Sequence, residues 1–168
     1  SYTISYTLNG GTVSGTNPTS YNVTTNTITL KNPTKDGYIF NGWTGSNGTT
    51  ASTTVTIPKG STGNKSYTAN WTQNAYTITV TQSTGGTISP DSTTVNSGGS
   101  KTFTITPNAG YKIATLKVNG INKTVSDSSG MTYTFSNVTS DQTITATYTT
   151  ISYTISYTLN GGTVSGTN

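Results

Sequence analysis

Cysteine, histidine, arginine and glutamate are all missing from the 168 residues. Without cysteine there is no disulfide or thiolate chemistry, and without histidine as well the usual ligands of a transition-metal site are gone. The same absence of histidine removes the side chain that most often moves protons at neutral pH. All eight basic residues are lysine and stand singly, so the formal charge of +4 marks no basic patch and argues against a nucleic-acid partner. The four acidic residues, Asp36, Asp91, Asp127 and Asp141, each lie alone beside a turn residue, which leaves no carboxylate pair for acid–base work. No apolar run approaches the ~20 residues that cross a bilayer as a helix, so no membrane insertion is expected. Hydrophobic residues make up 29% of the chain and charged residues 7%, which favours small cores over one large one.

What remains is rich in threonine, with eleven tyrosines among the aromatics, a composition suited to strands. Apolar and hydroxyl side chains alternate through Tyr2, Ile4, Tyr6 and Leu8, through Tyr67, Ala69 and Trp71, through Tyr76, Ile78 and Val80, and through Ile144, Ala146 and Tyr148. Each set reads as a half-buried strand. NGG, DG, SNG, KGSTGN, TGG, SGG and NAG between them supply the positive-φ positions of hairpin turns. In YKIATLKV the phase slips between Ile113 and Leu116, which predicts a bulge or bend there. A short helix or turn around Thr34 to Gly37 is the only departure from strand. The fold class expected is all-β or β-rich.

The chain also repeats itself. SYTISYTLNGGTVSGTN occupies residues 1–17 and returns unchanged at 152–168, beginning 151 residues after the first copy. A looser copy, YTITVTQSTGGTISP, starts at Tyr76. Four residues, TQNA, separate Trp71 from Tyr76, and four, TTIS, separate Tyr148 from Tyr153. The organisation expected is a module at 1–73, a second at 74–149, and the first hairpin of a further repeat at 150–168. Identity at a spacing of two modules suggests an array of 151-residue units in a longer protein. The expected partners are neighbouring copies of the same repeat, in the same chain or through strand exchange between chains.

YTLNGGTVSG, NPTKDGYIFNGWTGSNG and YTANW in the first module resemble the internalin B-repeat (Listeria/Bacteroides repeat) family of bacterial surface proteins. TGGTISP, PNAGYKIATLKVNG and YTFSNVTSDQTITATY in the second are similar to that family's divergent branch. The resemblance implies compact β-grasp-like or β-sandwich-like modules, arranged in tandem in secreted or wall-attached proteins, mostly as stalks and spacers and sometimes as adhesive surfaces.

No catalytic, cofactor-binding or metal-binding residue is assigned, and no enzyme activity or cofactor is expected. Asp127 in SDSSG is the best Ca²⁺ candidate but lacks companion carboxylates. Trp43 and Trp71 are expected to fill cores rather than stack on sugars. The sequons at Asn22, Asn47, Asn64, Asn70, Asn122 and Asn137 follow from the threonine content. Strand parity leaves one candidate crosslink, from Lys101 or Lys123 to Asn137 with Asp141 assisting. No such bond is expected, because Asp141 lies in a turn open to solvent. The functional expectation is a structural segment of an extracellular, cell-surface fibre, stalk or giant adhesin. The alternative is an adhesive module that binds a surface glycan or a host protein.

Overall fold

The computed structural model describes residues 1–163, 165 and 166. Among them there is no helix, and the chain is all-β, built from several small sheets. By contacts it divides into two compact units. The first comprises Ser1–Thr79, Ser92–Lys101 and Thr134–Gln142; the second comprises Val80–Asp91, Thr102–Tyr133 and Thr143–Asn168.

The strands of the first 73 residues are β1 (Tyr2–Thr7), β2 (Thr12–Val13), β3 (Ser20–Tyr21), β4 (Ile28–Thr29), β5 (Pro33–Thr34), β6 (Tyr38–Gly45), β7 (Gly48–Ser52), β8 (Thr56–Ile57) and β9 (Lys65–Gln73). Five form one sheet in the order β3-β1-β9-β6-β7, while β2 pairs with β5 and β4 with β8. The first and last strands meet in parallel, Ile4 opposite Lys65 through Thr7 opposite Thr68. The sheet is therefore mixed, with one parallel pair among antiparallel neighbours. Alternation explains which residues go inside: Ile4, Tyr67 and Ala69 are buried, and the residues flanking them are exposed or only half-buried. Trp43, Leu30, Val55 and Ile57 close the same core.

In β6 the alternation breaks. Phe40 opposes Trp71 and Gly42 opposes Asn70, so one residue, Asn41, is left over. The bulge turns Trp43 into the core, three positions after Phe40. Gly42 has φ +122, and a Cβ there would lie 2.6 Å from the Ser52 backbone.

Further strands are β10 (Ala75–Thr81), β11 (Gly86–Ser89), β12 (Thr93–Asn96), β13 (Lys101–Pro107), β14 (Tyr111–Val118), β15 (Ile121–Lys123), β16 (Met131–Phe135) and β17 (Gln142–Thr150). β10 pairs with β12 in the first unit. In the second unit β11 pairs with β13, and β14 lies between β15 and β17. The expected slip in YKIATLKV is a bulge at Ala114, and it leaves Ile113, Leu116 and Val118 all buried.

Of the helix or turn expected around Thr34 to Gly37, the structure has the turn: Thr34 ends β5, and the Tyr38 amide donates to the Lys35 carbonyl at 3.1 Å. Two expectations are corrected. The NGG turn does not make a hairpin, since β1 joins β3 and β9 while β2 joins β5. Nor does the second copy of the opening sequence form strands. Asn160 (φ 42) and Gly161 (φ 91) repeat the turn of Asn9 (φ 50) and Gly10 (φ 84), but residues 152–159 pair with nothing as a strand. The turn needs only its own residues, whereas a strand needs partners. Residues 164, 167 and 168 of that copy lie outside the described residues.

Candidate functional site

The residues that gave the first module its resemblance converge on one place. Asn9, Gly10 and Gly11 turn the chain after β1, and the Gly11 amide donates to the Leu8 carbonyl at 3.0 Å. Two side chains from elsewhere hold this turn, and one of its own ties it down. Trp71 Nε1 donates to the Leu8 carbonyl at 3.0 Å, Lys35 Nζ to the Asn9 carbonyl at 3.1 Å, and Asn9 Nδ2 to the Ala69 carbonyl at 2.9 Å. Lys35 Nζ also sits 3.9 Å from the Tyr38 ring centre, in cation–π range.

Behind the turn lie stacked aromatic edges. Phe40 is 5.3 Å from Trp71 and 5.5 Å from Trp43, centre to centre, and Trp43 is 5.9 Å from Tyr6. Trp43 is fully buried, its Nε1 donating to Asn32 Oδ1 at 3.1 Å. It therefore offers no face to a sugar. Gly37, in the same motif, accepts from the Asn74 amide at 2.8 Å, and the Asn74 carbonyl accepts from the Ser97 amide at 2.8 Å. The TQNA joint is thus bonded on both sides within the first unit.

Beside this cluster lies an open groove of about 390 Å³, lined by Tyr6, Leu8, Val13 and Asn17 among others. Tyr6 donates its hydroxyl hydrogen to the Pro18 carbonyl at 2.8 Å. Burial, and then the neighbouring Tyr67, push the Tyr6 hydroxyl up to about 12, so it is a neutral donor at physiological pH and neither base nor nucleophile. Burial likewise raises Tyr21, Tyr67 and Tyr148.

The aspartates serve turns and strand ends. Asp127 Oδ1 accepts from the Ser129 hydroxyl at 2.6 Å and the Ser129 amide at 2.8 Å, and these bonds hold its carboxyl below the usual value. Asp91 accepts from Gln82 Nε2, and Asp141 from the Thr77 amide. Among the described residues no three acidic groups gather as a metal site would require. Asn137 is exposed at a bend with φ 51, and Ile121 and Lys123 are exposed. The parity that joined Asn137 to Phe135, and Lys123 to an inward Ile121, does not hold in the structure.

Sequence reasoning missed the work of the asparagines. Asn70 Nδ2 donates to the Gly42 carbonyl and to Thr44 Oγ1, both at 3.0 Å, and so bridges the β6 bulge. Asn22 Oδ1 accepts from the amides of Thr24 and Thr25 and caps a turn. The N-x-T spacing at Asn22 was the available signal, since Asn two or three residues before an amide makes such turns.

No curated protein and no solved structure matches the chain. Residues 2–70 match the Listeria-Bacteroides repeat domain and residues 76–152 match the Divergent InlB B-repeat domain. Repeats of the first kind occur in bacterial surface proteins and point to a surface-protein repeat segment. Residues 2–70 are thus a Listeria-Bacteroides repeat domain, followed at 76–152 by a Divergent InlB B-repeat domain.

Proposed function

We propose that this chain is a structural segment of an extracellular bacterial fibre, stalk or giant surface adhesin, in which successive repeats act as spacers. One observation carries the reading: the motif residues of the first module spend their polar atoms on one another and on the backbone around the NGG turn. Such a signature specifies a fold rather than a reactive centre, and a spacer needs only its fold. Function then scales with the number of repeats. Electron microscopy of recombinant arrays with increasing numbers of the 151-residue unit tests it. Contour length should rise in proportion to unit number, and arrays that collapse into particles of constant length would overturn the reading.

The groove beside Tyr6 and Leu8 favours a second reading, a module that binds a surface glycan or host protein. Leu8→Ala would weaken glycan-array binding by such a groove, while a spacer would show no binding to lose.

A further inference from the structure

The boundary between the two repeat domains, after residue 70 and before residue 76, is not where the contacts divide. The first unit takes in Ser92–Lys101 and Thr134–Gln142, two segments of the Divergent InlB B-repeat domain, together with β10 as far as Thr79. A run of backbone bonds inside that unit accounts for this. The Gly37 carbonyl accepts from the Asn74 amide, and the Asn74 carbonyl accepts from the Ser97 amide, both at 2.8 Å. The Gly98 amide then donates to the Val138 carbonyl at 2.8 Å, and the Val138 amide to the Gly99 carbonyl at 2.9 Å. Side chains add two ties: Gln73 Nε2 donates to the Ser97 carbonyl at 3.2 Å, and the Thr77 amide to Asp141 Oδ1 at 2.8 Å. Val138 is buried at the end of the run. Asn74, in the middle of the joint, has both its backbone groups paired and is not free to act as a hinge.

Gly37 shows that this contact is selective. Its φ is +75, and a Cβ there would lie 2.6 Å from Ser97 Oγ and 3.1 Å from Ser97 Cβ, with no other atom named within 4 Å. Positive φ alone does not demand glycine in this chain, since Asn9, Asn119 and Asn137 hold φ of 50, 51 and 51. What excludes an asparagine at position 37 is therefore the loop of the following domain, not the turn itself.

We propose that the Asp36–Gly37 turn of the first domain is a docking site for the Ser97–Gly99 loop of the domain that follows it. This loop and Thr134–Gln142 open and close with the first 73 residues rather than with the remainder of their own domain. The Listeria-Bacteroides repeat thus accepts as its successor a repeat whose loop fits against a bare glycine. The inference concerns how the two domains are joined and holds for a spacer and for an adhesive module alike.

Native-state hydrogen exchange of the full chain, followed by NMR, tests the shared opening. Ile57→Val trims the first domain's core in β8 and should cut the protection of the Tyr67 amide roughly 2- to 10-fold, the usual effect of that truncation. The Ser97, Gly98 and Val138 amides should lose protection by the same factor, while those of Ile105 in β13 and Leu116 in β14 keep theirs. Unchanged protection at Ser97, Gly98 and Val138 overturns the proposal, and so does an equal loss at Ile105 and Leu116. A second set of variants tests the docking pair without touching either core. Gly37→Asn should lower the protection of the Asn74 and Ser97 amides, and adding Ser97→Gly, which removes both atoms in the way, should restore it at Asn74. A Gly37→Asn chain with the parent's protection, or an equal loss in the single and double variants, would show that the loop places no demand on position 37.

Discussion

Trp71 and Leu8 are joined by a hydrogen bond of 3.0 Å between residues 63 apart in sequence, and the indole ring that makes it covers the space above Gly11. A Cβ on Gly11 would run into that ring. Gly11→Ala is therefore expected to destabilise the first unit by about 1–3 kcal/mol, the usual cost of overpacking. Trp71→Phe removes the donor and also the atoms that clash. The double variant should cost less than the sum of the singles, a coupling that urea unfolding followed by fluorescence and circular dichroism will detect.

Gly42 and Gly48 both hold positive φ, +122 and +108, but only Gly42 faces backbone at contact distance. Gly48→Ala meets no atom within 4 Å and should cost ~1–2 kcal/mol for backbone conformation alone. Gly42→Ala adds the collision with Ser52 and should cost more than ~3 kcal/mol. Thermal melts of the two variants side by side check the difference, and equal melting points would mean that the β6 bulge yields easily.

Deletion of Ala114 should be nearly silent. With the bulge residue gone, Ile113, Thr115 and Leu116 oppose Tyr148, Thr147 and Ala146 in unbroken register, and Leu116 and Val118 still face inward. The expected change is within about 1 kcal/mol. Deleting Lys117 instead shifts Val118 to the solvent face and should cost ~3 kcal/mol or more. Circular dichroism melts decide between these outcomes.

Alkali should unfold the first unit. The Tyr6 hydroxyl titrates near 12 in the folded chain against an ordinary 10.0, and Tyr21 and Tyr67 are shifted the same way. An acid whose folded value is raised contributes stability that is fully present below its unfolded value and is lost as pH climbs to the folded one. Stability should thus fall between about pH 10 and 12. With no histidine or cysteine, it should vary little between about pH 5 and 9. Phenolate absorbance recorded alongside circular dichroism should show part of the tyrosine ionising together with the loss of structure.

Local physics was readable in the sequence and long-range pairing was not. Alternation placed Ile4, Tyr67, Ala69, Ile78 and Ile144 inside, and the phase slip after Ile113 announced a bulge. Asn9 and Gly10 gave the turn, because positive φ is a property of the turn's own residues. Nothing local distinguishes a strand that folds back on its neighbour from one that pairs in parallel with a segment some sixty residues away, so the β1–β9 ladder was invisible. Ile39 and Ile121 are exposed despite their chemistry: Ile39 alternates with the half-buried Tyr38 and Phe40, and Ile121 directly follows the tight Asn119–Gly120 turn. Of the candidate site, the motif residues were all recognisable, but their meeting around the NGG turn required the fold.

The parallel register of β1 and β9 decides how the first unit meets a mechanical load. Both strands run the same way, so within residues 1–74 the chain starts at the beginning of one and reaches the joint at the far end of the other. Tension applied through residues 1 and 74 would slide the two strands past each other and load the whole ladder in shear at once, whereas an antiparallel hairpin pulled from its open end unzips one bond at a time. Under the proposed spacer role, a repeat with this topology would resist extension as a clamp and yield abruptly.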